Sequence, residues 1–146
     1  MSSVVPRRGV GWLFLLSQLA WIGCGTDSET PAATFSTIYP LLFPRSTKAQ
    51  CTFCHGLPAN DLSNGNLAMG GEQATAYAAL VNMISTSSMC GGMALVVPGD
   101  PEASLLIHKI NGTQPCGDRM PQGGDPLPRA QVTMVTNWVA AGAQDD

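Results

Sequence analysis

Much of the usual catalytic vocabulary is missing from these 146 residues. There is no glycine-rich phosphate loop and no Gly-x-Ser-x-Gly, which excludes P-loop chemistry and the serine-hydrolase elbow. Histidine is scarce, with only His55 and His108 to share among all roles. No alternating apolar and polar run marks a strand, no internal repeat is present, and low complexity is confined to one short polar stretch. Basic residues are also few: seven Lys/Arg stand against ten Asp/Glu, a formal charge of -3. Arg7 and Arg8 lie in a segment expected to be removed, which leaves the mature chain near -5. Such a surface repels a phosphate backbone, so nucleic acid is not an expected partner.

What is present begins with an address. Arg7 and Arg8 precede the apolar run Val10-Gly11-Trp12-Leu13-Phe14-Leu15-Leu16, which continues through Leu19-Ala20-Trp21-Ile22-Gly23 to Cys24. A basic start, a short apolar stretch and a small residue before the cut describe a secretory signal. A transmembrane anchor is disfavoured, because the stretch falls short of about 20 residues and Ser17-Gln18 interrupts it. Ile22-Gly23-Cys24 resembles the bacterial lipoprotein signal, although Trp21 departs from the usual aliphatic residue at that place. Residues 1–23 are therefore expected to be a lipoprotein-type signal peptide, with Cys24 the lipidation site. Residues 24–34 are polar and without periodicity, a flexible tether spanning on the order of 20 Å. Residues 35–146 remain for one domain; 45% of the whole chain is apolar, which suffices for a core.

The five cysteines divide by task. With Cys24 given to lipid, and Cys51 and Cys54 to one short motif, Cys90 and Cys116 are left. In an oxidising exported compartment a leftover pair is expected to be a disulfide, the alternative being two buried thiols.

Helical spacing dominates the domain. Phe35, Ile38, Tyr39, Leu42 and Phe43 fall at i, i+3, i+4, i+7 and i+8, with Pro40 inside the run. A second helix is expected over Glu72 to Ile84, with Ala74, Tyr77, Ala78, Val81 and Ile84 on one face. Pro101 is expected to open a third, carrying Leu105, Leu106 and Ile110 and stopping at Asn111-Gly112. The last runs from about Pro128 to Ala141, with Val132, Val135, Trp138 and Val139 on one stripe and Gly142 as cap. The expectation is an all-α domain whose long loops enclose something.

Between the first two helices stands Cys51-Thr52-Phe53-Cys54-His55, the C-x-x-C-H pattern of covalent haem attachment. Two thiols three positions apart can add to the two vinyl groups on one porphyrin edge, and the adjoining histidine then serves as axial ligand. A zinc site would need four closed ligands, and no second pair at the right spacing exists. A thioredoxin-type redox pair would sit beside a βαβ pattern, which is absent. A blue-copper site would compete for His55. For the sixth position the candidate is Met120, in the proline-stiffened loop Cys116-Gly117-Asp118-Arg119-Met120-Pro121-Gln122-Gly123-Gly124. His108 is the rival, although a surface or capping role is more ordinary for it. Met69, Met83, Met89, Met93 and Met134 are expected to fill space.

These residues together resemble the class I cytochrome c fold, in particular the mono-haem c-type cytochrome domains of bacterial exported lipoproteins. The resemblance covers about Phe35 to Gly142. It is carried by Cys51-Cys54-His55, Pro98-Gly99-Asp100-Pro101 with Ser104-Leu105-Leu106, Arg119-Met120-Pro121 with Gly123-Gly124, and Trp138 before Ala141-Gly142-Ala143. It implies one covalent haem c on Cys51 and Cys54, His55 as proximal ligand and Met120 as distal ligand, so that both are metal ligands. It further implies that the first helix packs on the last, setting Ile38, Tyr39 and Leu42 against Val135, Trp138 and Val139. The Gly-Pro segment that follows the motif in the family is replaced by Asn64-Gly65-Asn66-Leu67. The function implied is electron transfer between redox proteins, not enzymatic turnover, on the periplasmic face of a bacterial membrane. Two other readings stand beside it: a haem-based accessory or sensor module with a displaceable Met120, and a non-haem exported interaction domain.

The lipid anchor is testable from sequence alone. Cys24→Ser should abolish incorporation of labelled fatty acid and leave the chain unprocessed or released from the membrane. Labelling that persists in this variant would refute the anchor.

Overall fold

The computed structural model describes residues 33–56 and 65–146. The expected signal segment (1–23), Cys24 and the expected tether up to residue 32 lie outside the described residues, as do residues 57–64. Among the described residues there are five helices: α1 (Phe35–Leu42), α2 (Cys51–His55), α3 (Gln73–Leu80), α4 (Leu105–Asn111) and α5 (Arg129–Ala140). No sheet forms among them, only isolated bridges pairing Val81 with Val96, Ile84 with Ala94 and Val97 with Asp100. The architecture is all-α.

Local chemistry explains where α1 begins. The Thr34 hydroxyl accepts the Thr37 N–H at 3.1 Å, and Thr37 Oγ1 accepts the Thr34 N–H at 3.2 Å, a reciprocal cap on two otherwise orphaned donors. Pro40 sits within the helix, where it has no N–H to donate, and the helix ends two residues later at Leu42. The apolar stripe is buried as the spacing predicts: Phe35, Ile38, Leu42 and Phe43 are all in the core.

The centre of that core is aromatic. Phe35 stacks on Trp138 of α5 at 5.0 Å between ring centroids and meets Phe43 and Tyr77 edge-on at 5.5 Å. The polar tips of these rings are satisfied at the periphery. Tyr77 donates to the Ala143 carbonyl (2.8 Å), Trp138 Nε1 to the Gln144 carbonyl (2.9 Å), and Tyr39 to the Gly71 carbonyl (2.6 Å). The first helix therefore packs on the last, and α4 also packs on α5.

Two helix boundaries differ from expectation. The second helix stops at Leu80, not Ile84, and it buries Ala76 and Leu80 while Ala74 and Ala78 stay exposed. Alanine gives little signal of which face is apolar, and Val81 and Ile84 belong to bridges instead. There the backbone is extended at Val81, and Asn82 turns with φ of 58°. The third helix begins at Leu105 because residues 97–104 are wound around a buried hydroxyl. Ser104 Oγ donates to the Asp100 carbonyl at 2.7 Å and accepts the Val97 N–H at 2.9 Å. The Gly99 N–H donates to the Val139 carbonyl at 2.8 Å and ties this turn to the end of α5.

Removing the central ring should be costly. Phe35→Ala is expected to destabilise the domain by about 3–5 kcal/mol, through lost transfer energy and the cavity left behind. Leu41→Ala, at a residue 46% exposed on the same helix, should cost under about 0.5 kcal/mol. Urea unfolding of both variants checks the difference.

Candidate functional site

The polypeptide reaches the Cys51–His55 segment through a tightly bonded turn. Thr47 Oγ1 donates to the carbonyls of Leu42 (3.0 Å) and Pro44 (2.9 Å) and accepts the Gln50 N–H at 3.0 Å. Gln50 then adopts φ of 46°, and α2 starts at the next residue. Inside α2, Thr52 is buried and donates twice to the Phe43 carbonyl, from its hydroxyl at 2.8 Å and its N–H at 2.9 Å. This locks the motif helix to the end of α1. The C-terminal side is held equally closely: the Met69 N–H donates to the His55 carbonyl. A Cβ at Gly56 would collide with the Thr52 carbonyl and stand 3.2 Å from that of Gly70, so only glycine fits after His55.

On this helix Cys51, Cys54 and His55 are brought together. Both thiols are free; Cys54 is exposed, while Cys51 is half-buried against the core. Burial pushes the Cys51 thiol up to about 11, against a smaller opposing effect of a backbone hydrogen bond. Phe53, between the cysteines, is exposed and lies under the Arg45 guanidinium at 5.3 Å.

Cys90 and Cys116 are joined through their sulfurs, with Cα atoms 5.6 Å apart. Met93 Sδ lies 3.6 Å from the Cys116 sulfur. Four residues on, Met120 is half-buried against the same apolar core as Cys51, and its peptide bond to Pro121 is cis. The Met120 N–H donates to the Lys109 carbonyl at 2.9 Å. Lys109 Nζ reaches back over the loop to the carbonyls of Cys116 (2.7 Å) and Asp118 (3.1 Å). Burial lowers the Lys109 pKa, with Asp118 opposing. Arg119 donates to the Gly124 carbonyl at 2.7 Å and closes the other side of the loop.

His108 is engaged elsewhere. Its Nε2 donates to the Glu102 carbonyl at 2.8 Å, which leaves Nδ1 to accept the Thr113 hydroxyl at 3.0 Å. Both ring nitrogens thus hold the ends of α4, and iron ligation by His108 would break one of these bonds. Met69 is buried in the core, whereas Met83 and Met89 are exposed and pack little. Lys109 and Gly56 carry no signal in the sequence, because their partners are remote or are backbone atoms.

A cleft of about 460 Å³ lies nearby, lined by Lys48, Gln50, Asp125, Pro126, Leu127 and Pro128. Gln50 immediately precedes the motif helix, and 125–128 follow the Met120 loop. The residues that could hold a haem covalently are Cys51 and Cys54 on one helix with His55 beside them, and Met120 packs against the same core as Cys51 from a braced loop. No group of three or more His, Cys, Asp or Glu among the described residues could hold a bare metal ion. Comparison with protein-family models, with curated proteins and with solved structures returns no match.

The unequal burial of the two motif thiols has a direct consequence. In haem-free protein at pH 8, iodoacetamide should modify Cys54 well before Cys51, and Cys51 should gain reactivity as pH rises towards 11. Peptide mass mapping over time checks the order. Equal rates at both cysteines would contradict the placement of Cys51 against the core.

Proposed function

We propose that this chain is a mono-haem c-type cytochrome, tethered through a lipid on Cys24 at the periplasmic face of a bacterial membrane, that passes single electrons between redox proteins. The observation that carries the reading is the separate fate of the cysteines: Cys90 and Cys116 are bridged, while Cys51 and Cys54 remain thiols beside His55. Thioether formation adds each S–H across a vinyl double bond, sulfur to one carbon and hydrogen to the other, and needs no oxidant. It needs thiols that are still reduced.

When bound, the haem supplies a ferrous–ferric couple, whose potential His/Met ligation raises relative to bis-histidine ligation. The rest is done by the chain. Cys51 and Cys54 would hold the group by covalent bonds, which a small domain needs to retain it. His55, fixed through its carbonyl and by the close approach at Gly56, would give the proximal nitrogen. Met120 would give the distal sulfur and, with His55, leave no open coordination position for a substrate. That is the arrangement of a carrier, not of an enzyme. Near -5 in net charge before the propionates are counted, the mature chain favours partners with a basic or mixed docking surface over acidic ones.

Expression with haem-maturation machinery tests the proposal. The protein should keep its haem through denaturation and acid extraction, and replacing Cys51 and Cys54 together with Ala should abolish that retention. Met120→Ala should keep covalent haem, lower the reduction potential and let the ferrous form bind carbon monoxide. Haem that stays attached without both cysteines would sink the proposal. A wild-type protein that binds carbon monoxide readily would favour a sensor with a displaceable Met120.

A further inference from the structure

The loop that bears Met120 is folded around a single side chain. The Lys109 ammonium donates to the carbonyls of Cys116 at 2.7 Å and Asp118 at 3.1 Å, while the Lys109 carbonyl accepts the Met120 N–H at 2.9 Å. Residues 116, 118 and 120 are thus pinned to one residue of α4. Gly117, at φ of 56°, lies between the two carbonyls, and a Cβ there would stand 2.8 Å from Nζ. The loop therefore closes down on the cation. Other braces act at its margins. The Cys90–Cys116 bridge fixes only where the loop starts, and Arg119 and Gln122 make exposed bonds to Gly124 and Asp118. The bond from Lys109 to Cys116 is half-buried and charge-assisted, which makes it the stronger kind.

We propose that Lys109 is the positioning residue for the sixth haem ligand: it fixes the backbone of Met120 so that the thioether stays on the iron. This rests on the cytochrome reading and adds to it the element that decides how often the distal position opens. An external ligand competes only for the open fraction, so its apparent affinity rises in proportion to that fraction.

The test uses holoprotein carrying Lys109→Met, which keeps the aliphatic stem and removes the donors. Covalent haem content and the unfolding midpoint establish that the variant is folded. Imidazole should then bind its ferric form about tenfold more tightly than wild type, equivalent to about 1.4 kcal/mol. The sulfur-to-iron charge-transfer band should weaken, and the reduction potential should fall. A folded variant with unchanged imidazole affinity and potential overturns the role of Lys109 while leaving the cytochrome reading intact. A wild-type chain that acquires no covalent haem removes both. Amide exchange in the wild-type protein gives a second arm that needs no variant. The Met120 N–H should be protected, and exchange as fast as at exposed Gly123 would overturn the clamp even if Lys109→Met fails to fold.

Discussion

Phe35 lying against Trp138 is the contact on which both halves of the site depend. The chain has nine aromatic residues, of which Trp12, Phe14 and Trp21 lie outside the described residues. Five of the six in the domain form one connected set around Phe35, and only Phe53 of the motif stands apart. This cluster joins α1 to α5, and everything chemical hangs from those two helices. The Phe43 carbonyl at the end of α1 accepts two bonds from Thr52 and so sets where α2 lies. For the other half of the site, α4 packs on α5 and holds out Lys109 to the Met120 loop. A small domain with so few large side chains gains most by concentrating them, since an aromatic pair adds about 0.5–1.5 kcal/mol beyond its area burial.

How much of this could be read beforehand follows from the range of the interactions. The apolar spacing of α1 and α5 is a local signal repeated over several turns, and both helices lie where that spacing predicts. Cys51-Thr52-Phe53-Cys54-His55 is contiguous, so the motif itself was legible, but the short helix α2 that carries it was not expected: five residues give no periodicity to read. The alanine-rich second helix was legible as a helix but not in its facing or its end. Ala74 and Ala76 look alike in sequence, yet only Ala76 is buried, on the side of Leu80. The delayed start of α4 was hidden for another reason: Ser104 reads as an ordinary polar residue until its hydroxyl is seen to bridge Val97 and Asp100. Lys109 was invisible as a loop brace, because its partners are backbone carbonyls that every residue possesses.

The two halves of the candidate site are built on different principles. Cys51, Cys54 and His55 lie within one five-residue helix, and that helix is tied at both ends by backbone bonds. The Met120 side is assembled from separate segments, Cys90 before α4, Lys109 within it and Cys116 after it. On the proposed reading this matches what each side must do. Covalent thioethers keep the proximal half in place whatever the rest of the chain does. A distal Met120 sulfur would have only a weak bond to iron, and its occupancy would follow from how firmly the loop is held. Variation in the loop would therefore alter ligation and potential without altering attachment.

The disulfide and Lys109 are not two versions of one brace. A bridge between residues 26 apart acts mainly on the unfolded chain, by about 3–4 kcal/mol on the chain-entropy estimate. It closes the loop from Cys90 to Cys116, yet it leaves the four residues beyond Cys116 free to choose among conformations. Lys109 acts on that choice. Its ammonium selects the conformers that turn the carbonyls of residues 116 and 118 inward, and its carbonyl then meets the N–H of residue 120. On the proposed reading, global stability and the order of the Met120 loop would thus be under separate control in this chain. Loss of the bridge lowers the first and loosens the second only at its start, whereas loss of the ammonium loosens the second with the bridge still in place.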